Sequence, residues 1–312
     1  MIDATSKALF HGLAQVQTLQ RLASKYGMAP GSGFARRFIA GETVEEAVEC
    51  AAGLQRQGLR LTLDYLGESV SSGEAAAAAA TEYVRIIDAI VSSGVERNIS
   101  LKLTQLGLDV DRATAVDNMR RILEPADASG FFVRIDMENS PYTEATLGIL
   151  ETLWQQGHRQ VGTVIQSCLK RSEADVRRVN ALGARVRLVK GAYKEPKEVA
   201  FQKKADVDAA FVDLMKVLMD YGQYPAIATH DVAMIEAAKA YARERNYGAD
   251  RFEFQMLYGI RRDLQAALVR EGYTVRVYVP FGKQWYPYFM RRLGERPANV
   301  AFVLRGIFSE RA

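Results

Sequence analysis

Two adjacent arginines, Arg291 and Arg292, follow an aromatic stretch near the end of the chain. Their spacing of three or four residues from Tyr288 and Glu295 predicts a helix that carries all four side chains on one side. Neighbouring guanidinium groups point about 100° apart on a helix, so the pair can hold one small anion from two directions. A bare arginine pair is more often a solvated surface, but the aromatic neighbours favour a dry site for a small carboxylate that carries an apolar ring.

Polar residues also alternate with aliphatic ones in short β-prone segments. Ser100, Lys102 and Thr104 alternate with leucines, and Arg276 and Tyr278 alternate with valines, which predicts polar side chains inside a barrel and aliphatic ones facing its helices. Other β-prone segments end on polar residues, which are Asp136, Gln166, Arg187, Lys190, Thr229 and His230. Because unpaired charge is costly to bury, this convergence predicts a functional cluster.

The elements that must position these side chains are eight β-prone segments alternating with helical patterns. The predicted strands are 59–65, 99–103, 131–137, 161–166, 184–190, 225–229, 251–256 and 274–279. The predicted helices between and after them are 73–93, 113–123, 143–157, 171–182, 205–221, 232–246 and 261–271. This order predicts an α/β protein with a closed (β/α)8 TIM-type barrel, whose chemistry lies at the carboxyl ends of the strands.

The chain before the first predicted strand has a helical pattern, interrupted by a turn at Gly31-Ser32-Gly33. We therefore expect residues 1–57 to form a helical segment that packs on the barrel. Residues 58–312 would form the catalytic barrel, including a C-terminal active-site helix.

Composition excludes several classes of protein. The 41 basic and 37 acidic residues give a net charge of only +4, and the basic residues are scattered, so no nucleic-acid partner is expected. The two cysteines suggest a reducing compartment, and neither they nor the three histidines have metal-ligand spacing, so no metal is expected. No segment reaches the roughly 20 apolar residues that span a bilayer, and the N-terminus lacks a signal-peptide core. We therefore expect a cytoplasmic protein.

These residues by themselves leave the reaction open. Lys102 or Lys190 at a strand end permits an aldolase-type lyase that works through a Schiff base. Asp136 and Arg187 permit an ion pair that orients a flavin or a substrate. A non-catalytic barrel that serves as a binding scaffold is the third alternative. No GxGxxG motif follows a predicted strand, so a Rossmann-type dinucleotide site is not expected.

Seven blocks, in order along the chain, resemble the proline dehydrogenase family. They are residues 100–103, 134–136, 164–166, 187–193, 228–230, 254–257 and 278–299. The resemblance implies that FAD accepts a hydride from L-proline, that Δ1-pyrroline-5-carboxylate is formed, and that a membrane quinone receives the electrons. It thereby implies peripheral docking at the inner face of the cell membrane. Lys194 and Glu195 stand where bifunctional members carry an aromatic residue, so the resemblance is to the monofunctional branch, coupled to a separate pyrroline-5-carboxylate dehydrogenase.

The resemblance also implies roles for individual residues. Arg187 would donate a hydrogen bond toward flavin N5 and Asp136 would hold it, which makes these two the catalytic pair. The other implied cofactor contacts are Met137, Gln166, Val189, Lys190, Gly191, Ala192, Thr229 and His230. The implied substrate contacts are Lys102, Arg291 and Arg292 for the carboxylate and Leu257, Tyr278 and Tyr288 for the ring. Whether Asp136, water or bulk solvent accepts the amine proton stays open.

A gate is expected at the barrel mouth. Glu68 follows the first predicted strand and Arg291 follows the eighth, and these strands are neighbours in a closed barrel. We expect the two side chains to pair when substrate is bound, which would pin the loop over the site. The alternative is a solvated loop carboxylate worth under about 1 kcal/mol.

Overall fold

The computed structural model describes residues 27–28 and 33–295. Each strand pairs in parallel with the next along the chain, and the eighth pairs with the first, so the sheet closes into a barrel. The predicted (β/α)8 fold is therefore confirmed. The strands are β1 (Arg60–Tyr65), β2 (Asn98–Leu101), β3 (Phe132–Ile135), β4 (Val161–Gln166), β5 (Val186–Val189), β6 (Ala226–Ala228), β7 (Glu253–Leu257) and β8 (Val275–Phe281).

One helix precedes the barrel, and the others in the described region follow the successive strands. They are α1 (Val44–Arg56), α2 (Gly73–Ser93), α3 (Arg112–Ala128), α4 (Thr143–Gln155), α5 (Ser172–Leu182), α6 (Lys204–Tyr221), α7 (Val232–Glu244), α8 (Arg262–Arg270) and α9 (Trp285–Glu295). No helix in this part of the chain is long and apolar enough to cross a membrane. The same residues contain no cluster of metal-ligating side chains.

Strand β2 is shorter than its pattern predicts. The predicted strand 99–103 ends at Leu101, and Thr104, the last residue of the polar alternation, begins a 3-10 turn. The prediction for residues 102–103 is therefore wrong. The Glu138 carboxylate holds the turn, since it accepts hydrogen bonds from the Thr104 N–H at 3.2 Å and from Oγ1 at 2.6 Å. The turn leaves Lys102 at the mouth of the barrel, directly after the strand.

The inside of the barrel is polar. Along β1, Leu61 and Leu63 belong to the hydrophobic layer, whereas Thr62 and Asp64, which alternate with them, are fully buried polar residues. The Thr62 hydroxyl lies 3.2 Å from the Ser100 hydroxyl of β2, which places this face of β1 inside the barrel. Leucines therefore hold the helices on the outside, and the interior is left to polar side chains.

The C-terminal helix α9 closes over one side of the mouth by apolar packing. Trp285 and Phe289 contact the segment around Phe38, which contains a short 3-10 helix (Phe34–Arg37), and the rings of Phe34 and Phe289 lie 5.3 Å apart. Residues 1–26 of the predicted N-terminal segment lie outside the described residues. So do Gly31 and Ser32 of the predicted turn, the segment 296–312 and the side chain of Glu295.

Candidate active site

Arg187, at the middle of β5, is the centre of the site. Its buried guanidinium donates to acceptors on three other strands: Asp136 Oδ1 at 2.6 Å, Ser100 Oγ at 2.9 Å and Gln255 Oε1 at 2.5 Å. Among the described residues these contacts use three of the five N–H donors of the side chain. The remaining two make no hydrogen bond to a described residue.

Asp136 joins Arg187 to Tyr278 of β8. The Tyr278 hydroxyl donates to Asp136 Oδ2 at 2.9 Å, and the Arg187 guanidinium lies 5.3 Å from the centroid of the Tyr278 ring. Burial, together with the nearby charge of Asp136, raises the pKa of Tyr278 well above its usual value. The Tyr278 phenol therefore stays neutral, and its hydroxyl acts as a hydrogen-bond donor.

Lys102 and Asp64 lie buried beside this group. Burial lowers the pKa of Lys102, but the carboxylates of Asp64 and Asp136 outweigh that effect and raise it, so the side chain is an ammonium. Burial raises the pKa of Asp64, and the charge of Lys102 opposes the rise. The residue pattern did not single out Asp64. Its signal was an acid in alternation with Leu61 and Leu63, one residue before the end of β1.

The rim of the mouth carries the arginine pair of α9. Arg291 Nη1 lies 3.1 Å from Glu68 Oε1, with the two side chains 18% and 36% exposed. Arg292 is buried, and its guanidinium lies 4.8 Å from the centroid of the buried Tyr288 ring. Tyr193 also belongs here, since burial raises its pKa to about 12 and the charges of Lys102, Glu68 and Arg291 act on it. Tyr193 was not among the predicted site residues.

The opposite side of the mouth combines an amide with a glycine. Gln166 Nε2 donates to the backbone carbonyl of Glu138 at 2.9 Å. Among the described residues, none donates a hydrogen bond to the side-chain oxygen of Gln166. Gly191 follows β5 with φ 116°, and a Cβ added there would collide with Cys168 Sγ. A side chain at this position would therefore both strain the backbone and displace Cys168 beside the Gln166 amide.

Lys190 is held by two carboxylates rather than pointing freely into the mouth. Its ammonium lies 2.5 Å from Asp208 Oδ1 on α6 and 2.7 Å from Asp231 Oδ2 at the start of α7. Thr229 Oγ1 accepts a hydrogen bond from the Asp231 N–H at 3.1 Å. The sequence analysis did not predict these aspartates, because they lie 18 and 41 residues beyond the lysine.

The remaining predicted residues line the same end of the barrel. His230 Nε2 accepts a hydrogen bond from the Leu257 N–H at 2.9 Å, which ties the end of β6 to β7. Met137 is buried after β3, Val189 is half-buried at the end of β5, and Ala192 is exposed. The predicted site residues thus lie inside the barrel strands, in the segments that follow their carboxyl ends, or on α9, and a (β/α)8 barrel carries its chemistry at that end.

A (β/α)8 barrel with a buried arginine, carboxylate and tyrosine cluster at the carboxyl ends of its strands defines a TIM-barrel enzyme. A family model described as Proline dehydrogenase matches residues 47–305. The chain is 45% identical over 302 residues to Proline dehydrogenase 1 of Bacillus subtilis (strain 168), covering 97% of this chain and 99% of that protein. It is 42% identical to Proline dehydrogenase of Deinococcus radiodurans, covering 88% and 89% respectively. The chain therefore belongs to the proline dehydrogenase family.

Solved structures give the same result for the fold. The crystal structure of proline utilization A (PutA) from Bdellovibrio bacteriovorus, inactivated by N-propargylglycine, matches with a TM-score of 0.78 at 27% identity. The match covers 84% of this chain but only 32% of that one, so this chain spans about a third of the PutA protein.

Proposed function

We propose that this protein is an FAD-dependent proline dehydrogenase, which oxidises L-proline to Δ1-pyrroline-5-carboxylate as the first step of proline catabolism. The observation that carries the proposal is Arg187, held from three strands with two N–H donors left at the mouth. The names of the relatives support the substrate. The quinone acceptor, docking at the membrane and a separate enzyme that consumes the product belong to the same proposal.

The residues at the mouth fit a flavin. The Arg187 donors would meet N5, Asp136 would hold Arg187, and the carbonyl oxygen of Gln166 would meet a donor on the pyrimidine edge of the ring. The other proposed contacts to the cofactor are Met137, Val189, Lys190, Ala192, Thr229 and His230. When bound, FAD would accept the hydride, which carries both electrons of the oxidation.

The substrate would lie between this surface and α9. Three cations, which are Lys102, Arg291 and Arg292, would hold the proline carboxylate, and a dry environment strengthens these contacts. The rings of Tyr278 and Tyr288 and the side chain of Leu257 would pack on the pyrrolidine ring. Contacts to the proline carboxylate at one end and to the pyrrolidine ring at the other would together fix the position of proline C5 relative to the cofactor.

Arg187 and the Glu68–Arg291 pair would do different work. The fixed cation of Arg187 would stabilise the negative charge that the reduced ring gains, since preorganised charge costs no reorganisation during the reaction. The half-exposed pair of Glu68 and Arg291 would hold the loop after β1 over the site and exclude water. Release of that pair would admit the next proline.

The geometry favours this oxidation over a Schiff-base lyase. A lysine that attacks a carbonyl must be neutral, whereas the carboxylates of Asp64 and Asp136 raise the pKa of Lys102. Lys190 is committed to Asp208 and Asp231. Neither lysine is therefore prepared as a nucleophile.

Colour and anaerobic bleaching test the proposed function. The purified protein should be yellow, and L-proline added without oxygen should bleach the flavin absorbance. Addition of a soluble quinone should then restore the colour. A colourless protein that borohydride traps covalently with a carbonyl substrate would contradict the proposal and establish the lyase instead.

A further inference from the structure

A continuous chain of polar side chains runs through the barrel interior beneath Arg187. Arg276 of β8 donates through Nε and Nη2 to the two carboxylate oxygens of Glu253, at 2.7 and 2.9 Å. Gln255 Nε2 donates to Glu253 Oε1 at 2.5 Å, and Arg187 Nε donates to Gln255 Oε1 at 2.5 Å. All four side chains are buried. Branched aliphatic residues usually fill this space in a (β/α)8 barrel, so a polar chain here has to be explained.

The chemistry of its neighbours decides the orientation of the Gln255 amide. A guanidinium can only donate hydrogen bonds and an ionised carboxylate can only accept them. Burial raises the pKa of Glu253, but Arg276 and Gln255 outweigh burial and bring it below the usual value, so Glu253 is ionised. The amide NH2 must therefore face Glu253 and the amide oxygen must face Arg187. The flipped amide would set donor against donor at Arg187 and acceptor against acceptor at Glu253.

Gln255 supplies the one contact that the Arg187 Nε atom makes to a side chain in the described structure. The other two contacts, to Asp136 and Ser100, lie at the far end of the guanidinium. Two contacts at that end hold its position, but the group can still tilt about them. The third contact at Nε, on a different strand, determines the plane of the group and hence where its two remaining N–H donors point.

We propose that Gln255, oriented by Glu253, is a positioning residue that aims Arg187 at the cofactor. The inference rests on the proposed function, because the flavin is the group that Arg187 is proposed to meet. Neither Gln255 nor Glu253 would touch the substrate or the cofactor. Their effect would pass entirely through the guanidinium plane of Arg187.

The first test is Gln255→Leu, which keeps the volume of the side chain and removes both hydrogen bonds. We expect kcat to fall about ten- to a hundredfold, the change that corresponds to one hydrogen bond with a charged group. The KM for proline should stay close to that of the wild type, because the carboxylate site is elsewhere. The reduction potential of the bound flavin should fall, since a tilted guanidinium stabilises the reduced ring less well.

Asn118→Leu is the matched control. Asn118 is also a buried amide that accepts a hydrogen bond from an arginine, Arg121, and donates one to a neighbouring acceptor, the Leu106 carbonyl. It lies on α3, outside the barrel interior. Its replacement should lower stability to a similar degree and leave both kcat and the flavin potential unchanged.

A second variant, Gln255→Glu, tests the orientation of the amide by pH. The new carboxyl group would still accept from Arg187 but would repel Glu253 when both are ionised, and this repulsion raises the pKa of the pair. A proton shared by the carboxyl groups at positions 253 and 255 restores the wild-type pattern, in which position 255 donates to Glu253 and accepts from Arg187. The titratable groups that act on Glu253 or Arg187, the two partners of position 255, are Arg276, Arg134, Asp136 and Asp64. The ratio of variant to wild-type kcat should therefore rise as the pH falls.

The outcomes separate this inference from the function on which it rests. Wild-type protein that binds no FAD and does not oxidise proline overturns the proposed function. An active wild type together with an unchanged kcat and flavin potential in Gln255→Leu overturns the positioning role. If Gln255→Leu does not fold, the pH profile of Gln255→Glu decides, and a ratio of kcat values that does not vary with pH overturns the role.

Discussion

Two arginines of this site contact a carboxylate, but they do so in different surroundings. Arg187 Nη1 lies 2.6 Å from Asp136 Oδ1, with side chains only 7% and 12% exposed. Arg291 Nη1 lies 3.1 Å from Glu68 Oε1, with side chains 18% and 36% exposed. The first arginine has two more acceptors on other strands. For the second, Glu68 is the carboxylate partner in the described part of the chain.

The difference shows what burial does to an ion pair. A buried pair cannot separate without leaving a charge in a medium of low dielectric constant, so its geometry is fixed. A half-exposed pair exchanges with water at little cost and weakens with salt. The interior arginine is therefore suited to hold charge during a reaction, and the rim arginine is suited to open and close.

The largest effect is expected from Arg187→Met, which removes the interior member of the comparison. It leaves Asp136 buried without its cation, so the free energy of unfolding should fall by about 3–5 kcal/mol. The reduction potential of the bound flavin should also fall, because a cation near N5 favours the reduced ring. Urea unfolding and potentiometry measure the two quantities. As a control, Arg178→Met removes a half-exposed arginine that pairs with Glu151 on the surface. It should change neither the free energy of unfolding nor the flavin reduction potential greatly.

Replacement of the rim arginines should affect substrate binding and spare the cofactor. We expect Arg291→Met or Arg292→Met to weaken proline binding by roughly 2–4 kcal/mol, the cost of breaking a desolvated charge-assisted contact. The FAD content should stay that of the wild type. Steady-state kinetics measures the change, and a near-normal KM in both variants would remove the pair from the substrate site.

Removal of the gate formed by Glu68 and Arg291 should have a smaller effect than the two changes above. It should alter the access of small molecules to the flavin rather than the stability of the fold. Glu68→Ala should change the free energy of unfolding by less than about 1 kcal/mol, because the pair is half-exposed. Proline turnover should fall while the FAD content stays intact, and small reagents should reach the flavin faster. Wild-type turnover and unchanged reagent access would show that Glu68 is an ordinary loop carboxylate.

The smallest effect concerns the second rim ion pair, between Lys190 and Asp231. The hydrogen bond with Lys190 lowers the pKa of Asp231 in the folded protein. The ion pair therefore stabilises the fold above the unfolded pKa of Asp231, near 3.8, and this stabilisation is lost as the pH falls through the folded pKa. Asp231→Asn preserves the cap of α7, since the side-chain oxygen still accepts from the Ala233 N–H. The stability difference from wild type should be under about 1 kcal/mol at neutral pH, because the pair is partly exposed.

That difference should disappear in acid and shrink in high salt. Thermal unfolding across pH and salt would measure both trends. The buried Arg187–Asp136 pair provides the contrast, since its contribution should hardly change with salt. A salt response of equal size at both sites would contradict the distinction between interior and rim.

The residue pattern predicted the elements well because period and turn residues act locally. It predicted β4 as residues 161–166, where the structure has Val161–Gln166, and α2 as residues 73–93, where the structure has Gly73–Ser93. It was wrong at the end of β2, which stops at Leu101 before a turn that Glu138 holds from a position 34 residues beyond Thr104. Local pattern carries no information about such a distant partner.

The sequence alone determined which residues reach the mouth of the barrel, because the alternation along each strand sends polar side chains inward and the parallel order brings the strand ends together. It therefore determined that Asp136, Arg187 and Tyr278 share one end of the fold. The tertiary structure decided which atoms meet: Arg187 and Asp136 are 51 residues apart, and Tyr278 and Asp136 are 142 residues apart. Contacts of that kind depend on barrel closure and register, which no local pattern encodes. The same reason kept Asp64 and Gln255 out of the predicted site, since a buried polar residue acquires its role only from the partners that the closed barrel brings to it.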